Sequence, residues 1–146
     1  MSKRLSLVAL IIFVSGIATY SQQLSAPRAE TNARTTAAYS LLVQRKVKVQ
    51  AELETLVKEY SSEWPPARTL QFELDALKAE MKKLVEIDEA QIPKLTNGYG
   101  TLLLRRAALQ SEIQSLSAEE GPEWPTVKQK QRELELLDIE LKKIMG

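Results

Sequence analysis

The chain has 146 residues and a formal net charge of +1, from 20 basic and 19 acidic side chains. That length allows one modest domain or two small units, and the charge balance leaves no global field to draw nucleic acid or acidic substrates. Cysteine and histidine are both absent, which excludes disulfides, thiolate nucleophiles, thiolate–imidazole zinc sites, imidazole bases and a lipid-acylated cysteine together.

Residues 1–21 read as an address. Lys3 and Arg4 precede an uncharged stretch from Leu5 to Tyr20, whose densest part, Leu7 to Val14, has the length of a signal-peptide hydrophobic region. Gly16 and Ala18 supply small residues for cleavage after Ala18, with a second option after Ser21. The competing expectation is a single-pass membrane anchor, a hydrophobic helix in the inner membrane. Its sixteen residues span roughly 24 Å, slightly short of the ~30 Å hydrocarbon core. With Lys3 and Arg4 held inside, both readings export the remainder of the chain to the periplasm or another extracytoplasmic space. Residues 22–36 are polar and form a spacer.

Beyond the spacer, Glu, Lys, Leu, Ala and Gln dominate, the composition of long amphipathic helices. Shifting the chain by 60 residues aligns 39–86 with 99–146 without a gap, and 17 of the 48 pairs are identical. Average residue usage would give about three or four. The shared residues include Tyr39/Tyr99, Arg45/Arg105, Glu73/Glu133, Glu80/Glu140 and the Glu-Trp-Pro triplets at 63–65 and 123–125. The expected organisation is a first hairpin over 37–92, a linker over 93–98 with Pro93 and Asn97-Gly98, and a second hairpin over 99–146.

Each unit carries heptad spacing on both sides of its Trp-Pro pair. Tyr39, Leu42, Val49, Leu53, Leu56 and Tyr60 line the first arm, and Ala67, Leu70, Leu74, Leu77, Met81 and Leu84 the second. Tyr99, Leu102, Leu109, Ile113 and Leu116 repeat the first stripe. Val127, Leu134, Leu137, Leu141 and Ile144 repeat the other, with Lys130 in place of Leu70. A period of about 3.5 favours near-parallel packing. Proline disfavours helix in the residue before it and suits the first helical position. Trp64-Pro65 and Trp124-Pro125 therefore mark hairpin tips. The predicted fold is all-α: two tandem antiparallel hairpins, with helices near 36–60, 66–90, 99–119 and 126–145. They pack as one four-helix bundle or as two hairpins stacked lengthwise.

Trp64 and Trp124 admit two roles. Each indole closes the end of its own hairpin, its N–H on a carbonyl or water, or it stands out as an anchor for a partner protein or a lipid headgroup layer. Lys46 and Arg106 both fall at a core phase where an apolar residue is expected. Each is read as a snorkelling stem or as a polar device that fixes register or oligomeric state. Glu119, Glu120 and Glu123 cluster near the second tip without a positioned third group and read as a solvated turn. No catalytic constellation, cofactor motif or metal-ligand spacing emerges, so an enzyme, a small-molecule substrate and nucleic acid are not expected.

The stretches around Glu63, Trp64, Pro65, Leu70 and Leu74, and around Glu123, Trp124, Pro125 and Leu134, resemble the helical stalks of polysaccharide chain-length determinant and exopolysaccharide-export proteins. Those stalks carry an arm ending in Leu, an acidic turn with Glu-x-Pro, then an arm with Leu-x-x-(Glu/Gln)-Leu. The likeness covers the coiled-coil segments and implies an envelope protein whose hairpins contact other proteins. Two functions are in competition: a non-catalytic spacer, interaction or oligomerisation module, partnered by another protein or by itself, and an exported holdase for unfolded envelope proteins. The holdase requires a basic cavity and exposed apolar inner faces. Balanced charge and filled heptads favour the interaction module.

Overall fold

The computed structural model describes residues 32–146; the expected signal or anchor segment and the spacer up to residue 31 lie outside them. Four long helices carry the described chain: α1 (Ala37–Glu59), α2 (Pro65–Val85), α3 (Asn97–Glu119) and α4 (Pro125–Met145). Two 3-10 segments, Ala33–Thr35 and Glu89–Lys94, precede α1 and α3, and the described residues hold no strand.

Each first arm starts on a threonine. The Thr36 hydroxyl accepts a hydrogen bond from the Tyr39 N–H at 3.3 Å, and the Thr96 hydroxyl accepts one from Tyr99 at 3.2 Å. Both caps satisfy a first-turn N–H that has no helical partner. Each second arm starts on the Trp-Pro pair instead. Trp64 and Trp124 are extended, with φ/ψ of −63°/132° and −61°/142°, and Pro65 and Pro125 take the first helical position. There the missing proline N–H costs nothing.

Pair contacts fix the directions. Across α2 and α3, Thr69 meets Ser115 and Glu80 meets Arg106, so advancing along one helix retreats along the other. Across α3 and α4, Glu112 meets Lys130 and Arg106 meets Asp138 in the same antiparallel sense. α1 and α3 run parallel and touch at their first turns. The two hairpins therefore lie side by side and not end to end. α3 packs against all three other helices; α1, α2 and α3 form a triangle, and α4 flanks α3 and the Glu89–Lys94 turn. The main apolar cluster includes Leu42, Val49, Leu74, Leu77, Leu84, Leu103, Ala107 and Leu141.

Two boundaries and two stripe positions differ from the sequence reading. α2 ends at Val85 and not near residue 90, and the chain re-forms after a short turn as the 3-10 segment Glu89–Lys94, which carries Pro93. Ile92 and Leu95 are buried there. Asn97 and Gly98, expected in the linker, are the first residues of α3. Gly100 marks a close helix crossing: a Cβ there would lie 2.7 Å from the Ala38 Cα. Tyr60 and Ile144, expected on the apolar stripes, are 61% and 40% exposed: Tyr60 lies at the hairpin tip beyond the helix-helix contacts, and Ile144 lies on α4, which rests mainly on one helix.

Candidate functional site

The two tips share a sequence triplet but not an environment. At the first, the rings of Tyr60 and Trp64 stack with centroids 4.1 Å apart and planes 23° apart. The stack covers one face of each ring within the hairpin, leaving Trp64 half-buried and Tyr60 exposed. At the second tip Glu120 stands where the first has Tyr60, and Trp124 is 54% exposed. Gly121 turns the chain there with φ of 96°, a conformation that other residues rarely adopt. Glu120, Gly121, Pro122, Glu123 and Pro125 line a shallow depression beside the Trp124 ring. Among the described residues neither indole N–H makes a hydrogen bond, so neither closes its hairpin by capping a carbonyl. Glu123 accepts from Lys128 at 2.6 Å, and that contact holds its carboxyl below the usual range. The Glu119–Glu123 cluster is thus a turn with one ion pair.

The residues at the core phase diverge as well. Arg106, 22% exposed, lies between helices; its Nη1 donates to Glu80 at 3.2 Å, and its Nε lies 2.9 Å from the Asp138 carboxylate. The second contact is an ion pair without hydrogen-bond alignment, and Nε has no aligned acceptor. Glu80 is almost fully buried, and Lys83 reaches its other oxygen at 3.2 Å. One guanidinium thus joins α2, α3 and α4 at a single level. Lys46, the counterpart of Arg106, is half-buried on α1 and pairs with no carboxylate among the described residues.

A repeated ion pair escaped the sequence reading. Arg45 grips Glu73 through two hydrogen bonds, at 2.6 and 2.9 Å, and Arg105 grips Glu133 at the same phase. Hydrogen bonding to the carboxylate raises both guanidinium pKa values further above their ordinary level. All four residues are identities of the duplication. The constant spacing of 28 residues across each tip was the available signal. Lys130, the one polar residue in the α4 stripe, pairs with Glu112 at 2.6 Å.

The described residues contain no cluster of three potential metal ligands and no helix long and apolar enough to cross a membrane. Compared with protein-family models, curated proteins and solved structures, the chain matches none. Its function must be argued from its own surfaces.

Proposed function

We propose that the chain is a non-catalytic interaction module of the cell envelope, exported or anchored by residues 1–21. The polar spacer sets two tandem helical hairpins, coiled-coil in character, away from that segment. The observation that carries this reading is the unequal treatment of the two tips. An indole stacked on its own hairpin, as Trp64 is, needs no partner. One left 54% exposed on a glycine-turned tip, as Trp124 is, forgoes roughly half of the ~1.5–3 kcal/mol that full burial of a large apolar side chain is worth. Tryptophan is the residue most enriched among interface anchors.

Envelope fractionation combined with crosslinking pull-down of the native protein tests the reading. The chain is expected in the envelope fraction with a protein partner attached. Trp124→Ala should reduce partner recovery and leave the melting temperature within about a degree or two, since surface changes usually stay within ±0.5 kcal/mol. Cytosolic recovery would overturn the proposal. So would a Trp124→Ala variant that melts early yet recovers its partner in full. Suppression of the aggregation of an unfolded membrane protein at stoichiometric ratio would instead assign the chain as a holdase.

A further inference from the structure

The duplication supplies an internal template for contact between copies. Within the molecule, α2 packs on α3: the second arm of one repeat against the first arm of the next. α4 is again a second arm, and among the described residues its main contacts are with α3 of its own hairpin and the Glu89–Lys94 turn. α1 is a first arm whose main contacts among the described residues are with α2, α3 and the Ala33–Thr35 turn. Shifted by 60 residues, the internal seam calls for α4 of one copy against α1 of another.

The residues on these two faces match that seam. Glu80 pairs with Arg106 across the internal contact. The counterpart of Glu80 is Glu140, 59% exposed, and the counterpart of Arg106 is Lys46, which holds no carboxylate among the described residues. Their charges are complementary in the same order. Lys143 already braces Glu140 at 2.7 Å, as Lys83 braces Glu80. Burial points the same way. Ala107 and Leu84 are 0% and 1% exposed, whereas their counterparts Val47 and Ile144 are 61% and 40% exposed. Large aliphatic side chains thus stand in water where the other repeat buries its equivalents.

We infer that this chain assembles head to tail with further copies of itself, α4 of one molecule docking on α1 of the next, with Glu140 facing Lys46 and Ile144 and Val47 enclosed. The interface is heterologous, so it leaves a free α1 and a free α4 at the two ends and grows into a ring or a filament. Each addition repeats a nearest-neighbour contact that already exists once inside every copy. One internal feature is not reproduced. The site of Gly100 is occupied in the first repeat by Ser40, whose Cβ keeps α1 of the incoming copy further from α3 than α1 sits within the molecule. The α4 face therefore carries the contact. This deepens the interaction-module reading by naming a partner. It uses the long helix faces and not the tips, so its failure leaves the Trp124 test untouched.

The test exploits the absence of cysteine. In the internal seam the hydroxyls of Thr69 and Ser115 lie 2.8 Å apart, and their counterparts are Gln129 and Thr55. Full-length Thr55→Cys and Gln129→Cys variants, mixed and mildly oxidised, should give a disulfide-linked heterodimer. A chain carrying both substitutions should give a ladder of dimer, trimer and longer species. Thr55→Cys mixed with Asp75→Cys, on an outer face of α2, should give only background. Independently, Lys46→Glu or Glu140→Lys should each weaken self-association by at least about tenfold in sedimentation, and the doubly reversed chain should recover it. Products confined to 55–55 or 129–129 homodimers would overturn the inference, as would an intramolecular 55–129 link. A strictly monomeric wild type or indifference to Glu140→Lys would do the same.

Discussion

Arg45 and Glu73 clasp across the first hairpin as Arg105 and Glu133 clasp across the second, yet the Glu73 side chain is 9% exposed and that of Glu133 is 44% exposed. The same contrast separates Glu80 from Glu140 and Leu84 from Ile144. The residues are shared or similar; the neighbours are not. α2 lies between two helices, α1 and α3, while α4 rests mainly on one. Burial among these described helices follows how many arms pack alongside, and a duplicated sequence acquires two energetic characters as a result.

The sharpest way to break that comparison is to remove the two core-phase cations in turn. Arg106→Ala strips a nearly buried carboxylate of its main partner and should cost about 3 kcal/mol in denaturant titration. Lys46→Ala, in dilute protein, should stay within about 0.5 kcal/mol. Equal costs would mean that the two repeats are equivalent after all.

The paired glycines of the first turn of α3 give the next largest effect, with opposite signs. Gly100→Ala forces a methyl within 2.7 Å of the Ala38 backbone and should lower stability by about 1–2 kcal/mol, as overpacking outweighs the helix preference of alanine. Gly98→Ala meets only the Thr96 hydroxyl at 3.7 Å and should raise stability by about 0.5 kcal/mol. Chemical denaturation of the two single variants checks both signs.

Alkaline titration distinguishes the tyrosine buried at the helix crossing. Burial raises the Tyr99 pKa, with Glu80 adding to the rise and Arg106 opposing it. The unfolded chain therefore loses this phenolic proton first, near pH 10. Stability tied to Tyr99 is in place below that pH and declines as pH rises through the folded value. Tyr99→Phe should flatten this decline in unfolding free energy above pH 10. The smallest effect is spectroscopic. With Trp124→Phe only the stacked Trp64 emits, and iodide should quench it less than it quenches Trp124 in Trp64→Phe.

Much of the helix layout was legible. Trp-Pro placed both tips, and the α2 stripe from Ala67 to Leu84 faces the core as its spacing predicts. What escaped were features that depend on a third or fourth helix. A heptad reports one face, yet α3 also buries Gly100, Leu103, Ala107 and Ser111, because α1, α2 and α4 surround it. Glu80 beside Lys83 looks like an ordinary exposed pair, and only the approach of Arg106 from α3 turns it into a buried one. Thr36 and Thr96 share the 60-residue phase and serve as matching caps. They lie just outside the aligned segment, where two identical small residues carry little statistical weight.

The central place of α3 has a consequence for motion. Opening free energies in a folded chain range from near zero at loosely held parts to the full unfolding value at the best-enclosed ones. α4 is held by α3, the Lys130–Glu112 and Arg106–Asp138 pairs, and the Lys94 ammonium on the Met145 carbonyl. It can lift away while the α1–α2–α3 triangle persists. α3 cannot leave without giving up its contacts with α1, α2 and α4 at once. Amide hydrogens should therefore exchange in a gradient, fastest in the outer turns of α4 and slowest in the middle of α3.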